Sequence, residues 1–192
     1  MMNSEFERHF CWVREMINQN LDSEYHGEPL DYEILQTMKS TWTADHGLEM
    51  LKELDENYGD AAKHAVTEFM KPNLQRDWAA IGKNEAHEGT EIEDFIRVLW
   101  EPLKKSGFEF DRKNNGSITQ FTVTRCPVFE FAEKTGMHEW FYHMSCMTDF
   151  FTTPSFSDKI GFIRTKSLMQ GDEYCNHSYY YKDSIADDMR LG

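Results

Sequence analysis

The period of the sequence changes at Phe108. Before it, apolar residues recur at three- and four-residue intervals; after it, they alternate with polar ones. Phe108 and Phe110 precede the turn sequence Asn114-Asn115-Gly116, and Ile118–Arg125 then alternates β-branched and aromatic side chains with polar ones. An Asn-Gly pair between alternating runs is the strongest short-range hairpin signal. A second hairpin is expected from Ile160–Met169 and Asp172–Tyr181, turning about Gln170-Gly171. Helices first, then two hairpins with helices between them, give an α+β fold: a helical N-terminal half packed with an antiparallel sheet.

The helical half reads as a series of capped segments. Phe6, Phe10, Val13 and Ile17 share a face after Ser4; Asp31 is placed to cap a helix through Ile34, Leu35, Met38 and Trp42. Leu48, Leu51, Leu54 and Tyr58 define a third helix that stops at Gly59. Asp60 opens a fourth, which Pro72 is expected to break or kink before it resumes through Leu74, Trp78 and Ile81. Thr90 with Glu93 has the spacing of a capping box for a fifth, ended by Gly107. Further on, Pro127–Lys134 reads as a short helix stopped by Gly136, and His138–Phe151 as a buried aromatic helix with Pro154 beyond it. The expectation is one domain over 1–192, with a helical part (1–106), an α+β part (107–183) and an acidic tail (184–192).

Charge narrows the function. The net charge of −14 is wrong for phosphate backbones, which need a basic surface, so nucleic acid is excluded as a partner. No apolar run reaches the ~18–20 residues of a membrane span. Met1–Phe10 is charged and holds no signal-peptide core, so the expectation is a cytoplasmic protein whose four cysteines are free thiols, ligands or nucleophiles. No dinucleotide, P-loop or nucleophile-elbow motif occurs, and no cofactor is expected.

The chemistry-bearing residues gather between Arg125 and Tyr181. Cys146 and Asp149, three apart, share a face if the segment is helical, ~5–6 Å between Cβ atoms. Cys175 and His177, two apart, share a face of a strand. These four are the candidate catalytic groups: a thiol nucleophile whose pKa an arginine or helix terminus lowers, and an Asp149/His177 pair to move protons. The other reading of Cys146 is a small buried apolar side chain. Arg125 and Arg164 lie in strand-like runs, where a guanidinium can grip a substrate carboxylate or pair with surface acids. Cys126, Cys146, Cys175 and His177 also make a conceivable zinc set, but without Cys-x-x-Cys or His-Glu-x-x-His spacing, and no metal is assigned.

The order of these motifs carries a resemblance. Arg125-Cys126-Pro127 ends a strand; Cys146-x-x-Asp149 follows, then Pro154-x-Phe156, and Gly171-Asp172-x-x-Cys175 opens an aromatic strand. Over Gly107–Tyr181 this resembles the L-2-amino-thiazoline-4-carboxylic acid hydrolase family. The resemblance implies a hydrolase opening a C–N bond of a small carboxylated cyclic amidine, thiazoline or amide-like substrate, the namesake being opened to a carbamoyl cysteine. It implies family positions at Cys126, Cys146, Asp149, Asp172 and Cys175, with Cys126 and Asp172 joining Arg125 and Arg164 as candidate substrate contacts. His177 comes from the strand pattern alone. The alternative is a small-molecule-binding or sensing domain without catalysis.

Overall fold

The computed structural model describes residues 12–21, 27–41, 46–115 and 118–184. Ser4, Phe6, Phe10, Trp42, Gly116 and the tail beyond 184 lie outside them. The chain divides into two compact units, 1–72 and 73–192.

The first unit is helical. Residues 12–21 form α1, followed by α2 (Pro29–Thr41), α3 (Gly47–Tyr58) and the first turns of α4 (Asp60–Glu85). The expected stripes are the buried ones: Val13 and Ile17, then Ile34, Leu35 and Met38, then Leu51 and Leu54. Helix α2 starts earlier than Asp31, because Pro29 has the fixed φ of a first helical residue and needs no donor there. Helix α4 runs past Pro72 without a break, so of the two outcomes expected there, a break or a kink, the break does not occur.

The second unit holds the sheet. Helix α5 (Glu91–Lys105) precedes β1 (Glu109–Asn114) and β2 (Ile118–Arg125); then come α6 (Pro127–Thr135), α7 (His138–Met144), α8 (Asp149–Phe156), β3 (Ile160–Ile163) and β4 (Cys175–Tyr181). The strands are antiparallel in the order β1-β2-β4-β3. This is the α+β architecture that the change of period predicts. Register aligns Phe121 with His177, Val123 with Cys175 and Phe162 with Tyr179. Period two puts these side chains on one face, and they pack with Phe95 and Trp100 of α5 into the core. The tightest approach is at Gly82 of α4, where a Cβ would stand 1.8 Å from the Phe156 carbonyl oxygen; only glycine fits there.

Three local expectations change. The capping box expected at Thr90 does not form: the Thr90 side chain caps no helix N–H, its hydroxyl donates to Asp94, which also accepts from the His87 N–H, and Glu93 pairs with Arg112. The single aromatic helix over His138–Phe151 is two helices joined by a 3-10 turn, Cys146–Thr148. Thr148 Oγ1 donates to the Ser145 carbonyl, the local side-chain bond that competes with helix continuation. Pro154 consequently sits inside α8 and not beyond a helix end.

The second hairpin also differs. It does fold back about Gln170-Gly171, with Gly171 at φ 91, but β3 stops at Ile163 and β4 starts only at Cys175. Asn176 takes over from the ladder. Its Oδ1 accepts from the backbone N–H groups of Thr165 (2.9 Å) and Lys166 (2.7 Å), and its Nδ2 donates to Thr165 Oγ1. The connection 164–174 thus leaves the sheet while staying tied to it.

Candidate active site

The centre of the second unit is an ion pair. Arg164 Nη1 donates to Asp149 Oδ2 at 2.7 Å, and His177 Nε2 lies 3.3 Å from the same oxygen. The side chains are 3% (Arg164), 19% (Asp149) and 12% (His177) exposed. Topology explains the meeting. Continuing the β3–β4 register beyond Ile163↔Ser178 sets Arg164 opposite His177, and α8 brings Asp149 to both through its first residue.

Aromatic rings enclose the guanidinium. Its carbon lies 5.2 Å from the Phe150 centroid, 5.8 Å from Tyr142 and 5.9 Å from Phe162, within cation–π range. Phe150 is 41% exposed. His177 is held by a T-shaped contact to Trp100 (5.1 Å) and a tilted one to Phe162 (5.7 Å). Trp100 Nε1 donates to the buried Tyr179 hydroxyl at 3.1 Å, fixing the indole that supports the imidazole. Burial works against the Arg164 charge, yet Asp149 and the Tyr142 hydroxyl keep it protonated.

Two of the three thiols, Cys146 and Cys175, feel the charges of this pair, and Cys126 lies near both of those sulfurs. Cys146 feels the charges of Arg164 and Asp149 and the sulfurs of Cys126 and Cys175. Their state differs from the expectation of a lowered thiol. Burial raises all three: Cys126 to about 11, Cys175 upward, and Cys146 furthest of all, because desolvation of a thiolate outweighs the pull of Arg164. Two of them are also committed to the backbone. Cys126 caps α6, its Sγ accepting from Phe129 N–H at 3.5 Å, and Cys175 Sγ accepts from Leu168 N–H at 3.2 Å. Cys146 sits in the 3-10 turn, so its relation to Asp149 is that of a turn and the following helix start, not of one helix face.

Two other sequence candidates have structural partners. Arg125 points its guanidinium to Glu130 (Nε, 2.6 Å) and the Gly107 carbonyl (Nη1, 3.0 Å) on an exposed surface, so it does not join the Arg164 centre. Asp172 accepts from Ser167 N–H at 2.7 Å and closes the turn that follows Arg164. Among the described residues, no group of three or more His, Cys, Asp or Glu side chains is arranged to hold a metal ion. None of them forms a helix long and apolar enough to cross a membrane.

Buried polar atoms without a hydrogen-bond partner include two of this centre, on Arg164 and His177. Among the described residues they are Trp140 Nε1, Thr153 Oγ1, Arg164 Nη2, Ser167 Oγ and His177 Nδ1, all within 140–177. Sequence reasoning missed Trp100, Tyr142, Phe150 and Phe162 as site components. Aromatic residues at such spacing are ordinary core, and only the fold shows that they wrap a charge.

By fold, the second unit belongs to the α+β proteins with a four-stranded antiparallel sheet, and its charged centre is interior rather than on a surface. The sequence model of the L-2-amino-thiazoline-4-carboxylic acid hydrolase family matches residues 38–179, and the chain belongs to that family. The match reaches well upstream of the motifs that first suggested it. No curated protein matches the chain.

Proposed function

We propose that this protein is a hydrolase that opens a small carboxylated ring of the cyclic amidine or thiazoline type, with Arg164 as the carboxylate anchor. The observation that carries this is the divided use of the guanidinium. Nη1 serves Asp149, while Nη2 is buried with no acceptor in hydrogen-bond geometry, although the Tyr142 hydroxyl is close enough to the guanidinium to act on it. A buried donor left unpaired costs roughly 1–3 kcal/mol, a cost that an incoming carboxylate removes through a charge-assisted bond. Family membership supplies the reaction class; the C–N bond is the one proposed to break.

The nucleophile is water in this reading. A thiolate at Cys146 has burial against it, and the resting site holds neutral thiols. The second reading, Cys146 as a covalent nucleophile, is favoured by one observation: the Arg164 charge acts directly to lower that thiol. Proton transfer by Asp149 and His177 serves either route. Cys175 stands beside the pair as a neutral, backbone-bonded sulfur, and Cys126 caps α6 next to it.

The test is incubation of the protein with L-2-amino-thiazoline-4-carboxylic acid and, separately, with the ring lacking its carboxylate. The expected result is hydrolysis of the acid alone, yielding a free amine from C–N cleavage. A free thiol in the product instead moves the scission to C–S. Binding of the acid without turnover overturns the hydrolase reading in favour of a binding domain.

A further inference from the structure

We infer that Nδ1 of His177 is the base of this site and that Asp149 positions it through the opposite ring nitrogen; this rests on the hydrolase reading for the reaction it serves. Nε2 lies 3.3 Å from Asp149 Oδ2, an ion-pair contact without the alignment of a hydrogen bond; a lone pair on Nε2 would face the carboxylate lone pairs, so the ring proton belongs on Nε2. The neutral imidazole then has its lone pair on Nδ1. That atom is buried and has no donor near it. A lone pair desolvated in this way is costly in the resting protein and is satisfied when a proton donor enters.

Other acceptors around the centre are less available. Asp149 shares Oδ2 between Arg164 and His177. The Cys126, Cys146 and Cys175 thiols are held protonated by burial, and so is the Tyr179 phenol. The imidazole is also oriented from three sides, by Trp100 of α5, Phe162 of β3 and Asp149 of α8, with Phe121 of β2 beside it in register. A base fixed in direction is what proton abstraction from one bound molecule requires.

The step balances without a co-reactant. As a water oxygen bonds to the electrophilic ring carbon, one of its protons moves to Nδ1, giving an imidazolium stabilised by Asp149. The bond from that carbon to the departing ring heteroatom then breaks. Nδ1 returns the proton to that heteroatom, so the elements of one water are added and His177 regains its starting form.

Two measurements decide it. Nitrogen NMR of histidine-labelled protein is expected to show His177 in the Nε2-protonated tautomer, and a mixture of tautomers in Asp149→Asn. His177→Gln retains a side-chain nitrogen where Nε2 was and removes Nδ1. Its kcat on L-2-amino-thiazoline-4-carboxylic acid is expected to fall ~10²–10⁴-fold with little change in KM, and the acidic limb of the pH–rate profile, where the base is protonated, to disappear. An Nδ1-protonated tautomer in the wild type overturns the inference whether or not any substrate turns over. Wild-type kcat in His177→Gln overturns it as well. A wild type that leaves the ring intact removes the hydrolase reading alone, and the tautomer still decides the placement of the base.

Discussion

Arg164 and Asp149, separated by 15 residues in sequence, form a buried ion pair at 2.7 Å. Breaking such a pair from one side leaves an unpaired charge in a low-dielectric interior, at a cost of ~3–5 kcal/mol. Arg164→Met and Asp149→Leu are each expected to lose stability on that scale. The double variant is expected to be more stable than the sum of the two losses predicts. Urea unfolding of the four proteins measures this; strictly additive losses would show that the pair does not couple.

The raised thiols predict slow alkylation. At neutral pH the thiolate fraction of Cys126, with its pKa pushed up to about 11, is on the order of 10⁻⁴, against a few per cent for an ordinary thiol near 8.5. Iodoacetamide labelling followed by mass mapping is expected to find Cys126, Cys146 and Cys175 unmodified in the native protein and fully modified in urea. Rapid native labelling of Cys146 near neutral pH contradicts the buried, neutral thiol.

Much of this fold was legible because it is locally encoded. The alternation about Asn114-Asn115, the stop at Gly59 and the Pro127 start of α6 are each written in a few adjacent residues. The departures arose where side chains compete with the backbone: Thr148 ends a helix that apolar spacing continues, and Asn176 replaces ladder bonds that alternation extends. The site was legible as residues but not as partners. Asp149 and His177 stood out by type, whereas the choice of Arg164 over Arg125 follows from strand register and from Glu130 occupying the latter. The aromatic enclosure was invisible, since Phe150 and Phe162 look like any core residues until a guanidinium sits between them.

Asn176 gives a test of how the Arg164 segment is held. Its amide accepts two backbone N–H groups and donates to Thr165. Asn176→Ala leaves those groups to water and is expected to cost ~1–3 kcal/mol, with faster amide exchange at Thr165 and Lys166. Unchanged exchange at both amides would show the connection to be held by other bonds.

Asp94 sets an acid limit on stability. Burial works to raise its pKa, but hydrogen bonds from His87, Thr90 and Arg97 outweigh that and bring it down to about 2 from an ordinary 3.8. A folded pKa below the unfolded one stabilises the protein above the unfolded value, and the gain is lost as pH falls through the folded value. The stability advantage of wild type over Asp94→Asn is therefore expected to be flat above about pH 5 and to shrink between about 4 and 2. Thermal unfolding of both proteins across that range checks it. A gap that keeps its size down to pH 2 removes the carboxylate charge from the explanation.

Cys146→Ala separates the two nucleophiles. If water attacks, the thiol is a neutral wall of the site, and its removal is expected to change kcat less than about tenfold, through packing alone. If Cys146 attacks, the loss runs to several orders of magnitude, as for other covalent nucleophiles, and Cys146→Ser is nearly as poor because nothing ionises a hydroxyl there. His177→Gln is expected to be the slower variant in the first case and the faster in the second, since proton-transfer help is worth ~10²–10⁴. The order of the two variants thus reads out the mechanism even where absolute rates are low. Single-turnover mass spectrometry gives a second reading: a covalent adduct on Cys146 is expected only if the thiol attacks, and its appearance would replace water in the proposed reaction.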